Sequence, residues 1–266
     1  MSVVSLKRCT HDTFREATLT GRGAEVRGRE ESMAEGKHCL VIGVGPGVGL
    51  HTVQAFREQG YFVSMIARHA GRLESWEAEL DGAKGYAADI ADLDSYRATL
   101  DRIVDAHGLP DVVVYNAALA AFGNYLDVTV EAFEASYRVN ATGLLVTAQH
   151  LCPAMVERGH GRLLVTGNTG SLRGKPNFIG WSPSKAGGRI VAEALARELG
   201  PKNVHVAYIV IDALIDMPFA RKRWPELPDD VFAKPTDLAS EIVRVSEQPP
   251  SARSFYVEIR PSGEPW

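Results

Sequence analysis

The stretch His38-Cys39-Leu40-Val41-Ile42-Gly43-Val44-Gly45-Pro46-Gly47-Val48-Gly49 decides the fold. Its first half is a short, unbroken apolar run, the pattern of a strand buried on both faces. Its second half places glycines at 43, 45, 47 and 49. Glycine lets the backbone turn sharply and approach a pyrophosphate without a Cβ in the way. A helix is expected immediately afterwards, from Leu50 to Gln59, ended by Gly60. Such a helix points free N–H groups and the positive end of its dipole at the same anion.

Working outward, short apolar runs recur at Phe62–Ala67, Gly85–Ala88, Asp111–Tyr115, Arg162–Thr166, Val204–Ile211 and Ser254–Ile259. Helical patterns lie between them, including a long stretch from Val128 to Arg158 and another from Pro183 to Leu199 with Ser182 as its N-cap. Continuous strands alternating with helices predict an α/β fold: a Rossmann-type, doubly wound parallel sheet with helices on both faces. No linker or repeat interrupts residues 37–266, which read as a single domain. Residues 1–36 lack this periodicity and read as a flexible N-terminal extension. They hold no apolar segment typical of a secretory signal, and acids such as Asp12, Glu16 and Glu25 argue against an import signal.

The chain has 266 residues, 45% of them hydrophobic, and a net charge of −4. That mild acidity gives no electrostatic footprint for nucleic acid. No apolar run reaches the roughly 18–20 residues of a membrane span. Cys9, Cys39 and Cys152 are scattered without CxxC spacing. They suggest neither a disulfide scaffold nor a metal site and fit a reducing, cytoplasmic setting.

The spacing Gly43-xxx-Gly47-x-Gly49 resembles the short-chain dehydrogenase/reductase family, and further landmarks follow in order. Asp89-Ile90 matches the acid that holds the adenine amino group and its neighbour. Asn116-Ala117-Ala118 resembles the family's N-N-A-G turn, with Tyr115 in place of the first Asn and Ala118 in place of the Gly. Asn140 to Gly143 matches N-x-x-G, and Lys185 stands at the lysine of Y-x-x-x-K. Ile211 to Met217 resembles the P-G-x-x-x-T turn beside the nicotinamide, with Asp212 for the Pro, Met217 for the Thr and Ile215 within cofactor reach. The resemblance spans residues 38–260 and implies a nicotinamide dinucleotide cofactor, a small, partly apolar substrate, and a homodimer or homotetramer.

The second strand ends Ile66-Ala67-Arg68-His69. Ala67 fills the slot of the acid that would hold the ribose 2′-OH of NAD, and Arg68 follows. A guanidinium there offers a forked contact to a 2′-phosphate, so the expected cofactor is NADP(H). The catalytic pattern is broken. The resemblance implies a Tyr acid/base, a Lys four residues later, a Ser thirteen residues before the Tyr, and an Asn. Here the Tyr slot holds Trp181 and the Ser slot Asn168, while Asn140 and Lys185 are kept. An indole N–H only donates and does not titrate in the useful range. Asn168 could still donate to a substrate oxygen.

The four candidate catalytic residues are therefore Lys185, Asn140, Asn168 and Trp181, joined by Asp212 as a candidate acid at a strand end. Tyr115 is either another acid or a core aromatic. Pro183 is expected to start its helix, leaving Trp181 at the lip and its stacking over Lys185 loosened. Three functions remain open at this level. One is an atypical NADP(H)-dependent oxidoreductase that reduces an imine or iminium, or a carbonyl with a different proton source. The others are a non-redox isomerase or cyclase, and a redox-silent NADP-binding protein.

Overall fold

The computed structural model describes residues 36–264, which lie in one compact unit. The expected extension, apart from Gly36, falls outside the described residues, as does Cys9.

Seven parallel strands form the central sheet: β1 (His38–Ile42), β2 (Phe62–Ala67), β3 (Ala83–Ala87), β4 (Val112–Tyr115), β5 (Gly161–Gly167), β6 (Val204–Ile211) and β9 (Tyr256–Ile259). Between the last two, β7 (Leu214–Ile215) and β8 (Phe232–Ala233) pair separately. The order in the main sheet is β3-β2-β1-β4-β5-β6-β9. The direction of winding reverses between β1 and β4, and ligands of open α/β sheets bind at that reversal, beyond the carboxyl ends of the strands.

Alternate residues of β1 feed two cores, as the pleat requires. Leu40 and Ile42 join Leu100, Tyr115 and Leu144 on one face. Cys39 and Val41 join Val53, Phe56 and Ile242 on the other. The first face is covered by α3 (Leu93–His107), α5 (Gly143–Arg158) and α6 (Trp181–Leu199). The second is covered by α1 (Val48–Glu58) and α8 (Pro235–Ser246). Helix α2 (Ala70–Glu79) buries only Leu73, so it has no apolar stripe to announce it.

Several element ends shift by one or two residues from expectation, and two larger differences bear on the site. The long stretch after Val128 is not one helix. Helix α4 (Val130–Tyr137) runs into a π-turn over Arg138–Thr142 before α5 begins. Tyr115 packs against this turn. It is fully buried, and its hydroxyl donates to the Val139 carbonyl at 2.6 Å inside the π-turn. That bond, and burial that pushes its pKa well up, make Tyr115 a core brace and not an acid. A Cβ at Gly143 would lie 2.4 Å from the Tyr115 hydroxyl and 2.4 Å from Ile90 Cγ2. Gly143→Ala is therefore expected to destabilise by about 1–3 kcal/mol through overpacking. Adding Tyr115→Phe should recover part of that loss in denaturant titrations; strictly additive effects would remove this explanation.

Helix α6 starts at Trp181, with Gly180 as its N-cap, and not at Pro183. Pro183 still falls in the first turn, where a missing N–H breaks no helical bond. Ser182 is consequently not a cap; its hydroxyl is buried without a hydrogen-bond partner among the described residues.

Candidate active site

The turn after β1 is locked from both sides. Gly43 has φ +86°, and a Cβ on it would lie 2.4 Å from Ala117 Cα. The Asn116 amide donates to the Gly43 carbonyl at 2.9 Å and accepts from the Thr166 hydroxyl at 2.9 Å. Asn116 thus ties β4 to the turn of β1 and to β5. A Cβ at Gly49 would sit 2.9 Å from Val44 Cα, so helix α1 packs directly on the turn. By contrast, a Cβ at Gly45 would meet nothing within 4 Å. Helix α1 has no side-chain cap and no acid in its first turn, which leaves the positive end of its dipole open to an anion. Pro46 and Gly47 complete the turn ahead of Val48.

A cleft of about 320 Å³ opens at the reversal point. Gly43, Gly45, Arg68, Asp89, Ile90, Asn116, Ala117 and Ala118, all expected cofactor contacts, line it. His69, Arg72, Trp76, Leu119 and Val139 line it too. Arg68 and Arg72 are exposed, and neither is paired with a carboxylate among the described residues. Arg72 lies in the first turn of α2, where a cation opposes the dipole unless an anion sits between. At the other end of the glycine turn, Ile215 and Met217 close over Gly47, 3.8 and 3.3 Å from the position of its missing Cβ.

These features fit a dinucleotide. The glycine cradle leaves open space where a Cβ would intrude, a helix N-terminus faces it, and unpaired guanidiniums stand where the second strand ends.

The opposite rim is built by β5, β6 and α6. Asn168 follows β5; its Oδ1 accepts from Gly170 N at 3.0 Å. Gly170 joins this amide to the indole. Its missing Cβ would lie 2.8 Å from Asn168 Oδ1 and 3.1 Å from Trp181 Nε1. One helical turn on, Lys185 Nζ sits over the Trp181 ring, 5.1 Å from its centroid. The loosened stacking expected from Pro183 is thus corrected: because α6 begins at Trp181, the i,i+4 contact is intact. Lys185 is buried, and burial lowers its pKa to about 8.

Asn140, in the π-turn, is buried. Its amide donates to Leu119 O at 2.9 Å and Ser184 Oγ at 2.9 Å, and accepts from Leu119 N at 3.2 Å. It fixes the cleft wall to α6 through Ser184. Asp212 is committed on both oxygens: it accepts from Thr169 Oγ1 at 2.8 Å and pairs with Arg260 at 2.5 Å. It braces the ends of β5, β6 and β9 together. Arg260 and Ser184 carried no sequence signal, since their roles arise from the pairing of β6 with β9 and the packing of α6 on the π-turn.

Phe122, Phe178 and Trp181 form an aromatic mouth, with Phe122 5.1 Å from Phe178 and 5.5 Å from Trp181. A separate segment contains α7 (Pro218–Arg223). It is pinned by the pairing of β7 with β8, and by Arg221, which forks onto Asp216 and stacks on Phe232.

Residues 37–224 match the family described as short chain dehydrogenase. The chain belongs to that family. Short-chain dehydrogenases are NAD(P)-dependent oxidoreductases. The chain is 30% identical over 218 residues to carbonyl reductase (NADPH) 2 of Sus scrofa, covering 78% of this chain and 88% of that protein. A short-chain dehydrogenase structure from Rhodopseudomonas palustris is 29% identical, with a TM-score of 0.72 over 85% of this chain and 98% of that one. A 3-ketoacyl-(acyl-carrier-protein) reductase of Brucella melitensis complexed with NADH is 26% identical, with a TM-score of 0.77 over 85% and 97%. Among the described residues, no helix is long and apolar enough to cross a membrane, and no cluster of metal-ligating side chains occurs.

Proposed function

We propose that this short-chain dehydrogenase is an NADP(H)-dependent reductase that works without the family's tyrosine. The observation that carries the reading is Trp181, stacked on a buried Lys185, in a chain whose dinucleotide cleft presents Arg68. In this reading Gly43 to Gly49 and the start of α1 hold the pyrophosphate. Asp89 and Ile90 hold the adenine, Arg68 with Arg72 the 2′-phosphate, and Lys185 the nicotinamide ribose, with Ile215 closing over the turn. Bound NADPH supplies a hydride. The protein supplies position, exclusion of water by the aromatic mouth, and hydrogen-bond donors for the acceptor substrate.

The relatives divide on the cofactor: one carries NADPH in its name and one is complexed with NADH. The unpaired Arg68, with Ala67 where an acid would stand, supports NADP(H). The missing tyrosine fits two substrate classes, an imine or iminium that needs no proton, and a carbonyl protonated from elsewhere. A buried ammonium with no carboxylate beside it disfavours a cationic iminium and favours a small, partly apolar carbonyl compound. Exposed Leu145 on α5 and Ile190 on α6 support a homodimer or homotetramer through these helices.

Fluorescence titration should give tighter binding of NADPH than of NADH, and NADPH oxidation should follow addition of ketones or aldehydes. Failure to bind either dinucleotide would sink this reading. Binding without oxidation by any carbonyl or imine would point to the redox-silent alternative.

A further inference from the structure

The polar groups around Trp181 divide into those already committed and those left open. Three hydroxyls are committed: Thr169 Oγ1 donates to Asp212 at 2.8 Å, Ser171 Oγ to Asn168 O at 2.7 Å, and Ser184 Oγ to Trp181 O at 2.8 Å; that of Ser182 is buried without a partner among the described residues. The nearby carboxylate, Asp212, is held by Thr169 and Arg260. Three nitrogens are left: Asn168 Nδ2, Trp181 Nε1 and Lys185 Nζ. None meets a hydrogen-bond acceptor among the described residues. The rim therefore offers N–H donors and no free carboxylate among the described residues. That arrangement stabilises an oxygen gaining negative charge.

Of the three donors, only the lysine can give up its proton at ordinary pH. An amide and an indole hold a developing alkoxide but do not protonate it. We propose that Lys185, besides holding the cofactor ribose, is itself the proton donor of carbonyl reduction, with Asn168 and Trp181 as the oxyanion donors. This rests on the reductase reading above.

The step balances. With the reduced nicotinamide bound, the carbonyl carbon would take a hydride, with its two electrons, and the π bond would shift onto oxygen. That oxygen takes a proton from Nζ. The neutral amine then recovers a proton from water. Burial makes the ammonium acidic enough to do this. A pKa of about 8 suits a general acid working near neutral pH. Tyr208 of β6 meets the Lys185 carbonyl, but its own burial raises its pKa. Tyr137 of α4 lies against Gly187, and Arg138 is exposed on the π-turn. None of these neighbours is a carboxylate or an imidazole.

The test combines kinetics with stability. In the wild type, kcat for ketone reduction should be level below about pH 8 and fall roughly tenfold per unit above it, because the acid must be protonated. Lys185→Arg keeps a cation for the ribose but cannot release its proton. NADPH affinity should change little, while kcat falls about 10²–10⁴-fold and the alkaline fall disappears. In Lys185→Ala, added methylamine should restore turnover.

A readout independent of activity is the melting temperature without cofactor. The native lysine loses its proton near pH 8, the unfolded one near 10.5. The unfolded chain binds more protons across that window, so stability should rise from pH 8 to 10.5 relative to Lys185→Met. Wild-type kcat in Lys185→Arg, or a rate with no alkaline limb, would overturn the assignment and leave the reductase reading standing. Turnover of imines but of no carbonyl would do the same. No NADPH oxidation with either class would overturn both.

Discussion

Gly43→Ala should lower the melting temperature by on the order of 10 °C and abolish measurable NADPH binding. The cost has two sources. Gly43 sits at φ +86°, a region that side chains rarely adopt, and such strain costs about 1–3 kcal/mol. The new methyl would also lie 2.4 Å from Ala117 Cα and 2.5 Å from Ala117 N, which are backbone atoms just beyond the neighbouring strand. Neither can swing aside as a side-chain tip could. Relief requires moving β1 and β4 apart at the reversal point, which breaks the Asn116 bond to the Gly43 carbonyl. A loss of about 3 kcal/mol or more corresponds to that shift in melting temperature for a domain of this size.

Gly45→Ala is the control. Its methyl meets no protein atom within 4 Å but enters the cleft, so binding should weaken with stability unchanged. Calorimetry and fluorescence titration of the two variants separate fold from site. A Gly43→Ala protein that melts like the wild type would refute the account of the turn.

Arg68→Ala should weaken NADPH binding roughly 10–100-fold and leave NADH binding nearly unchanged, which removes the preference between them. A charge-assisted hydrogen bond contributes about 1.5–3 kcal/mol, and each 1.4 kcal/mol is roughly a factor of ten. Arg68 lines the cleft and has no carboxylate partner to compete for it among the described residues. Arg72, a turn further on, should contribute less, so Arg72→Ala is expected to show a smaller loss of the same sign. Raised salt should narrow the gap between wild type and variant, because both guanidiniums are exposed and screened. Equal losses for NADPH and NADH in Arg68→Ala would mean that the arginine reads the shared part of the dinucleotide and not the 2′-phosphate.

Much of this was legible in the sequence because it depends on local pattern. The strand from His38 to Ile42, the glycine turn and the helix after it occupy consecutive residues, so their chemistry could be read in a line. The cleft residues Arg68, Asp89 and Asn116 were legible for the same reason: each follows a strand, and parallel strands bring their carboxyl ends to one edge. The start of α6 was not. Pro183 reads as a first helical residue, yet Trp181 and Ser182 are already helical. The loop before it delivers the chain in that direction, with Ser182 N donating to Phe178 O at 2.9 Å. That small shift of boundary decided whether Trp181 lies across Lys185.

By itself the sequence determined the parallel sheet, the place of the expected dinucleotide cleft, and the replacement of a titrating side chain by an indole at 181. Only the tertiary structure decided what the remaining polar groups can do. Tyr115 became a brace because the π-turn carbonyl of Val139 meets its hydroxyl. Asp212 became a brace because the pairing of β6 with β9 delivers Arg260 to it. Lys185 was left without a carboxylate because the nearby one, Asp212, is spent on Thr169 and Arg260. Whether a side chain is spent or available depends on partners far away in the chain, and those partners meet only when the sheet is assembled.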